Sequence, residues 1–536
     1  MEDKAVEAFG DTTADSTRVP QLHAVASARL ALTWQQFAVV CAFVALYLLS
    51  TYLPLFHAVT WRHIQSGEWI VANQAVPRVS PALPLSDGFQ SGTSSWLSDV
   101  LFSQIWRHTG VIGISSAVAV ACTTLMALTF AVFYLRSGRK RLALAGVAIA
   151  LAVHWPRMAI LRPEILGLIC FSILLLLISI HGESEDARQR RMWIFCPPLV
   201  LVWANLDGSV LLGVITLAGL ALARLMDAVR ETRSVWLAVQ DRRFQSSVYI
   251  AEVAAVVSMF QPAGFRLWTD LLLNTHASAW WEFGGYSPLV LATSTGWCVL
   301  GIWALTAVLL RLSQRSIMAS EVAMMVMASL TVIVNRQMAT WFVPMAIWAM
   351  LPHLSDVLER KWFAPKYQRP AFKVGEPVPP LAFAFSLLSL LVIWCGFALS
   401  PLSNPLLGGR VRPTQRIMAK STPVALSQFF QKSPTLPTGL VWVPEDWGDW
   451  ISLTVPGLKI SANSQIHLLT DRQKQDILQV GRGEGAWTRI LDRYGVELLV
   501  VDKQRQSRLA ESAMTLGTDW SIQFEDTQAL VLRRKA

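Results

Sequence analysis

Charged and polar side chains collect at the ends of long apolar segments. They stand in the connections between segments: His57, Trp61, Arg62, His63, Glu68, Asp87, Asp99, His154, Arg157, Arg162, Glu164, Asn205, Asp207, Asn335 and Arg336. A carboxylate can accept a proton as a general base, and arginine binds phosphate groups through its guanidinium. Charges at membrane depth are costly and tend to mark sites, although a residue at a segment end can simply be solvated. Together, these side chains predict a polar cavity on one side of a membrane.

The composition indicates a chain that lies mostly in lipid. Hydrophobic residues make up 53% of the sequence and charged residues only 15%, whereas soluble domains carry roughly 25% charged residues. The net charge is +10. Its basic residues stand in short clusters between apolar segments, which favours the positive-inside bias over nucleic-acid binding. We expect membrane lipid as a partner and no nucleic acid.

Eleven apolar segments approach the length of about 20 residues that a spanning helix needs. They cover residues 35–56, 111–135, 141–156, 164–181, 193–205, 208–226, 247–262, 290–310, 318–334, 338–352 and 379–400. Two pairs are separated by very few residues, at Leu206–Asp207 and at 335–337. Each of these pairs is either two helices with a tight turn or one broken helix.

Charge selects between these options. Lys and Arg cluster at 136–141, 188–191, 224–243, 311–315 and 360–373. With eleven spans and residues 1–33 as a cytoplasmic tail, every one of these connections faces the cytoplasm. Merging either close pair would reverse the later loops. The prediction is therefore a multi-pass protein of the inner cell membrane with its C-terminal region outside the cytoplasm.

The transmembrane domain is predicted over residues 34–400, with long outward loops at 57–110 and 263–289. Amphipathic stretches in these loops favour helices that lie in the membrane interface. Residues 401–437 are rich in Pro, Ser and Gln and are typical of a linker. Residues 438–536 predict a small α/β domain, with strands at 440–444, 496–501 and 529–532 and helices at 471–480, 487–494 and 504–514. The fold class is an all-α polytopic membrane bundle with a small C-terminal α/β domain.

Cofactor signals are weak. The cysteines all fall within apolar segments, without a CxxC pair: Cys41, Cys122, Cys170, Cys196, Cys298 and Cys395. This argues against a disulfide framework or a thiolate metal site. The histidines lack metal-ligand spacing, so we predict no cofactor and do not assign a divalent metal. The glycine-rich run 481–485 follows a helical segment and predicts a turn rather than a phosphate loop.

Several motifs resemble a known family. They are Val59-Thr60-Trp61-Arg62-His63 with Gly67-Glu68-Trp69, then Ser95-Trp96-Leu97-Ser98-Asp99, Arg162-Pro163, Trp203-Ala204-Asn205-Leu206-Asp207-Gly208, Gln261-Pro262 and Trp447-Gly448-Asp449. This set resembles bacterial multi-pass proteins related to the C-type glycosyltransferase (GT-C) fold. The resemblance extends over nearly the whole chain, but its motifs are short.

The resemblance implies sugar transfer from a polyprenyl-phosphate donor to an acceptor at the outer face. The usual base of the family is an acidic residue of the first outward loop. Here His57, Ala58 and Val59 stand where relatives carry acidic residues, and Asp207 replaces a family histidine. Glu68, Asp99 and Asp207 are the remaining candidate bases.

We assign Asp207 as the candidate catalytic base. Trp61, His63, Arg162, Asn205 and Arg336 are the candidate substrate-binding residues, with Arg162 and Arg336 holding the donor phosphate. The first hypothesis is thus a divergent GT-C-type glycosyltransferase-like protein that acts on lipid-linked sugar or cell-envelope glycan. The alternative is a non-catalytic membrane scaffold or assembly partner that binds another protein, so the sequence leaves enzymatic activity open. A transporter ranks third, because the chain lacks an obvious inverted repeat and its spans carry almost no charge in their interiors.

Overall fold

A computed structural model describes residues 31–55, 58–77, 83–86, 95–155, 160–180, 184–273, 287–361, 380–409, 412–515 and 520–535. The predicted tail at 1–33 lies almost wholly outside these residues, as do His57, Asp87 and Arg157 of the candidate polar residues.

Helices dominate the first 400 residues. In chain order they are α1 (Trp34–Tyr52), α2 (Ala58–Asn73), α3 (Trp96–Ser137), α4 (Lys140–His154), α5 (Pro163–Ser179), α6 (Glu185–Leu206), α7 (Val210–Thr232), α8 (Val235–Val239), α9 (Arg242–Val257), α10 (Arg266–Leu273), α11 (Ser294–Leu312), α12 (Ala319–Val334), α13 (Ala339–Lys361) and α14 (Pro380–Leu399). Each of the eleven predicted segments coincides with one of these helices.

Six helices in the described residues are long and apolar enough to cross a membrane: α1, α3, α7, α11, α13 with the turn before it, and α14. Helices α5 and α12 are apolar but shorter. The chain is a multi-pass membrane protein, and the count of eleven spans stays a prediction. Large side chains on the bundle surface agree with a lipid environment, since Trp297, Leu387 and Leu390 are each at least 65% exposed, and soluble proteins rarely expose such patches.

Both closely spaced pairs of segments are separate helices. Helix α6 ends at Leu206, and Asp207 is extended with φ −161° before α7 begins. Asn335 is likewise extended, and its side-chain oxygen accepts the N–H of Gln337 at 3.0 Å. That bond starts a 3₁₀ turn, Arg336–Met338, before α13.

Helix α3 is longer than any predicted span. It is 42 residues long and contains the end of the predicted outward loop 57–110 as well as the predicted span 111–135. The two parts meet at Gly110, which has φ 60° and ψ −149°. A β-carbon makes that conformation essentially inaccessible, so glycine allows the change of direction.

At the end of the bundle where α3 finishes, a buried ionic network joins α3, α12 and α13. Arg136 is 6% exposed, and its Nη2 donates to Glu321 Oε1. Glu321 Oε2 lies 3.1 Å from His353 Nε2, and His353 Nδ1 lies 3.0 Å from Ser313 Oγ. Arg136 also stacks on the Trp348 ring, at 4.0 Å from its centroid. We call Arg136, Glu321, His353 and Ser313 the Arg136 network.

Short helices occupy the predicted linker 401–437. They are a 3₁₀ turn at Pro401–Ser403, α15 (Asn404–Leu407), α16 (Thr414–Ile417) and α17 (Val424–Lys432). Backbone bonds attach this region to the start of the first loop, since Leu55 N–H donates to Ile417 O at 2.8 Å and Ala419 N–H donates to Leu55 O at 3.0 Å. The region is thus folded against the bundle over much of its described length.

The C-terminal domain contains a four-stranded sheet with strand order β1-β2-β4-β3. Its elements are β1 (Leu440–Trp442), α18 (Glu445–Thr454), a 3₁₀ turn (Ile466–Leu468), α19 (Asp471–Arg482), α20 (Trp487–Arg493), β2 (Val496–Asp502), α21 (Ser507–Thr515), β3 (Trp520–Glu525) and β4 (Ala529–Arg534). Strands β1 and β2 are parallel, and the other pairings are antiparallel. Apolar side chains of β2 pack on both faces of the sheet, against α19–α21 on one and α17–α18 on the other. Burial on both faces explains the continuous apolar run that predicted β2.

Candidate functional site

Helix α2 and the first turns of α3 form the base of the site. Gly67 of α2 faces the backbone of Asp99 so closely that a β-carbon there would overlap the Asp99 carbonyl oxygen. This close packing brings His63 Nδ1 to 2.7 Å from Asp99 Oδ1. His63 is 5% exposed and Asp99 is fully buried, so the pair is shielded from water.

The contact with Arg62 determines which ring nitrogen of His63 carries the hydrogen. Its Nη2 lies 3.1 Å from His63 Nε2, and a guanidinium can only donate hydrogen bonds. His63 Nε2 therefore accepts, and the ring hydrogen is on Nδ1, which donates to Asp99. Burial, together with the charges of Arg62 and Arg162, lowers the pKa of His63 well below its ordinary value. His63 is consequently a neutral positioning group for Arg62.

A partly open cleft lies beside this pair. Its empty space is about 570 Å³, including open solvent at its mouth. Five parts of the chain line it: Val59, Arg62 and His63 from α2, Ser95 before α3, Arg162, Pro163 and Glu164 at the start of α5, Asp207 after α6, and Ser464 and His467 from the C-terminal domain. We refer to the cavity lined by these residues as the cleft. Predicted residues His63, Arg162 and Asp207 are thus brought together.

The start of α5 supplies two charged side chains of opposite sign. Pro163 occupies the first turn, where its missing N–H costs nothing. Arg162 is the extended residue before it, and Thr60 Oγ1 of α2 donates to the neighbouring Leu161 carbonyl at 3.2 Å. Glu164 is 7% exposed and also lines the cleft. The cleft therefore holds a second carboxylate besides Asp207.

Asp207 is positioned by the break between α6 and α7. It is 5% exposed, and its Oδ2 accepts the Ser209 N–H at 3.0 Å. Ser209 Oγ in turn accepts the indole N–H of Trp203 at 3.0 Å. A β-carbon on Gly167 of α5 would overlap both Asp207 Oδ2 and Ser209 Oγ. The segment 203–209 therefore presents Asp207 through tight packing against α5.

The C-terminal domain closes one side of the cleft. His467 lines it, and burial with the nearby charges of Arg62 and Lys474 lowers its pKa to about 3. Asp449 is fully buried, and its Oδ2 accepts the Ser464 N–H at 3.0 Å. Burial raises the pKa of Asp449 to about 6, against the opposing influence of Arg62. Arg62 thus acts electrostatically on groups of both domains.

Three aromatic rings join the two domains next to the cleft. The ring centroids of Trp61 and Trp450 are 4.9 Å apart, and Trp106 lies 5.8 Å from Trp61. Trp61 is 1% exposed and does not line the cleft. The indole of Trp61 packs against Trp450 of α18 and Trp106 of α3, so its predicted substrate contact stays a prediction.

Asn205 and Arg336 also lie away from the cleft lining. Asn205 Oδ1 accepts the indole N–H of Trp96 at 2.7 Å, and its Nδ2 donates to the Leu201 and Phe260 carbonyls. These bonds join α3, α6 and the turn after α9. Arg336 is exposed in its 3₁₀ turn, and its backbone N–H donates to the Ser287 carbonyl at 2.8 Å. Neither residue lines the cleft, and their predicted role in substrate binding stays a prediction.

Four residues line the cleft that were not predicted as catalytic or substrate-binding: Arg62, Glu164, Ser464 and His467. Arg62 and Glu164 stood among many charged loop residues with no signal to select them. Ser464 and His467 follow a region predicted as a linker, far along the chain. Within the described residues, no group of three His, Cys, Asp or Glu side chains has the arrangement of a metal site.

The architecture matches that of solved membrane enzymes. The oligosaccharyltransferase of Archaeoglobus fulgidus, solved with a tethered acceptor peptide containing the NVT sequon, aligns with TM-score 0.51 and 12% identity over 94% of this chain and 74% of that chain. Its apo form aligns with TM-score 0.51 and 11% identity over the same shares. No protein-family model matches the sequence. No curated protein matches it at a significant level either.

These alignments confirm the GT-C fold predicted from the sequence motifs. The chain is a mostly helical, multi-pass membrane protein of GT-C architecture with a small C-terminal sheet. At 11–12% identity the likeness concerns the fold alone, because one fold can support unrelated functions.

Proposed function

We propose that this chain is a divergent GT-C-type glycosyltransferase-like protein that uses a lipid-linked sugar in the cleft. The observation that carries the proposal is the joint placement of Arg62, Arg162 and Asp207 in one cleft. A sugar linked to a polyprenyl phosphate offers an anion for the arginines and an anomeric carbon for an acceptor. The alignment with an oligosaccharyltransferase supports a transfer of this general type.

The residues divide the reaction between them. The acceptor hydroxyl attacks the anomeric carbon, a new glycosidic bond forms, and the bond from that carbon to the phosphate oxygen breaks. Asp207 takes the hydroxyl proton as general base. Arg162 and Arg62 stabilise the negative charge that develops on the leaving phosphate. His63, held neutral by burial, keeps Arg62 aimed at the cleft through the 3.1 Å contact.

Asp207 is preferred over the other two candidate bases. Asp99 is fully buried and accepts from His63, so its carboxylate is already engaged. Glu68 is exposed on α2 and absent from the cleft lining. Glu164 is the alternative carboxylate, because it lines the cleft beside Arg162.

The cleft is proposed to open on the outer face of the inner membrane. The positive-inside bias supports this orientation, because the basic clusters belong to connections at the opposite end of the bundle. The N-terminus would then be cytoplasmic, and the C-terminal domain would lie outside the cytoplasm. The acceptor would be a cell-envelope glycan or another hydroxyl compound of that compartment.

Turnover of a polyprenyl-phosphate sugar by the purified protein tests the proposal. We expect Asp207→Asn to lower turnover at least 100-fold while donor binding is kept, since removal of a general base typically costs 10²–10⁴-fold. Arg162→Gln should weaken donor binding itself. Asp471→Asn, whose side chain is 95% exposed in the C-terminal domain, is the matched control. Unchanged turnover in Asp207→Asn would eliminate Asp207 as the base, and the same result in Glu164→Gln would exclude the alternative.

A non-catalytic scaffold is the second candidate function. The first-loop carboxylate Asp99 is sealed in a buried pair with His63, and the start of α2 carries Ala58 and Val59 in place of acidic residues. A stable stoichiometric protein partner in a pull-down, with unchanged envelope glycans after gene deletion, would favour the scaffold. Donor turnover that depends on Asp207 would exclude it.

A further inference from the structure

A second polar cavity lies at the end of the bundle away from the cleft. Its empty space is about 1080 Å³, including open solvent. Arg136, Arg188, Arg224 and Asp227 line it, from the ends of α3, α6 and α7. Apolar side chains such as Leu177 and Met192 make up the rest of the wall. The wall therefore combines three guanidinium groups with one carboxylate.

The arginines are only partly occupied by protein carboxylates. Glu185 contacts both Arg188 and Arg224, with single N–O contacts of 3.2 and 3.1 Å. A guanidinium has five N–H donors, so one carboxylate contact each among the described residues leaves most of their donors for another acceptor. Arg188 Nε is buried and has no hydrogen-bond partner among the described residues. A phosphate group, with several acceptor oxygens, suits such a pair of guanidiniums.

The surroundings indicate where such a phosphate comes from. The cavity lies at the ends of the apolar helices α5 and α7, where lipid headgroups meet the protein. Its wall is polar on the arginine side and apolar along Leu177 and Met192. An occupant with an anionic head and an apolar body matches both sides. A free phosphate would leave the apolar side without a partner.

We propose that this cavity binds the phosphate headgroup of an anionic membrane lipid, held by Arg188 and Arg224. Arg136 contributes charge while it remains paired with Glu321. Asp227 opposes binding, because it places a negative charge on the same wall. The site is separate from the cleft and is independent of the proposed sugar transfer.

Lipid binding to the delipidated protein tests the proposal. The protein would be reconstituted with phosphatidylglycerol or with phosphatidylcholine as probe, and bound lipid would be measured by native mass spectrometry. We expect selective retention of phosphatidylglycerol and at least a tenfold loss of its affinity in Arg188→Gln and in Arg224→Gln. Arg242→Gln, an exposed arginine at the start of α9 that does not line the cavity, should leave the affinity unchanged.

Asp227→Asn provides a test that breaks no ion pair observed among the described residues. It should strengthen phosphatidylglycerol binding several-fold, and it keeps the proposal falsifiable if an arginine variant fails to fold. Equal lipid retention by Arg188→Gln, Arg242→Gln and the unaltered protein would overturn the proposal. Displacement of the lipid by millimolar inorganic phosphate, with equal thermal stabilisation by phosphate alone, would overturn the lipid assignment.

Discussion

Two arginines, one at each end of the bundle, are compensated in different ways. Arg136 directly pairs with Glu321, with His353 on the second carboxylate oxygen. Arg62 instead donates to a neutral imidazole at 3.1 Å. Its charge opposes the rise that burial causes in the pKa of Asp449, and it adds to the lowering that burial causes in the pKa of His467. Charge compensated by an ion pair at close range stabilises packing, whereas charge left partly uncompensated in a cleft can bind an anion. This difference separates a structural arginine from one that we propose binds an anion.

The largest expected effect is the loss of stability when the Arg136 network is broken. Glu321→Ala leaves Arg136 buried without its counter-charge, and such a change typically costs about 3–5 kcal/mol of unfolding free energy. We expect a large decrease in the unfolding temperature of the protein in detergent. Glu359→Ala is the control, because the Arg139–Glu359 pair is 20–28% exposed and such pairs contribute less than about 1 kcal/mol. Equal losses in the two variants would contradict a structural role for the network.

A smaller effect is expected at the cleft end of the bundle, where Asp449 should make the stability of the protein depend on pH. Asp449 has a pKa of about 6 against an ordinary 3.8, so the unfolded chain ionises first as pH rises. Unfolding then releases a proton between about pH 4 and 6, and stability falls across this window by about 3 kcal/mol. Asp449→Asn removes this fall and should unfold at a higher temperature at pH 7.

Thermal unfolding from pH 4 to pH 7 measures this difference between Asp449→Asn and the unaltered protein. His63 and His467 titrate in both proteins, so their contributions cancel in the comparison. Asp471→Asn, with its exposed side chain, should keep the pH dependence of the unaltered protein. A parallel pH profile for Asp449→Asn would show that burial does not hold Asp449 protonated.

The smallest expected effect on stability tests how Asp207 is placed. Gly167→Ala puts a methyl group against Asp207 Oδ2 and Ser209 Oγ, and such overpacking costs about 1–3 kcal/mol. Turnover should fall at least tenfold because the carboxylate moves. Gly301→Ala is the control, since nothing lies within 4 Å of its added carbon, and it should stabilise the helix by about 0.5–1 kcal/mol. Unchanged turnover in Gly167→Ala would argue that the position of Asp207 does not matter.

The sequence predicted the helices well, because apolar runs and basic clusters depend on the membrane rather than on tertiary contacts. The breaks at Asp207 and at 335–337 followed from the same charge argument. Strand β3 was missed because its polar residues Ser521 and Gln523 interrupt any apolar run. The strand exists because it pairs with β4, a partner that local sequence does not identify.

The candidate site was predictable only in part. Arg162 directly precedes one predicted span, and Asp207 stands between two others. Their position at an end of the bundle could therefore be predicted from the sequence. The burial of Trp61 could not, because it depends on Trp450 from a distant domain. Asn205 looked like a ligand-binding residue but uses its amide to join three segments. The contribution of His467 required the tail to fold back on the first loop.

Gly110 determines how far the cleft stands from the lipid. Residues 111–137 of α3 extend about 40 Å at 1.5 Å per residue, nearly the full bilayer with its headgroups, which is about 40–45 Å thick. The turns that carry Asp99 precede Gly110 and must run outside that slab. A donor anchored in the bilayer would therefore have to extend its phosphate beyond the bilayer surface to reach Arg62. A water-soluble acceptor could approach the cleft from the aqueous side. In the proposed transfer, residue 110 would thus set the level at which two reactants from different phases meet.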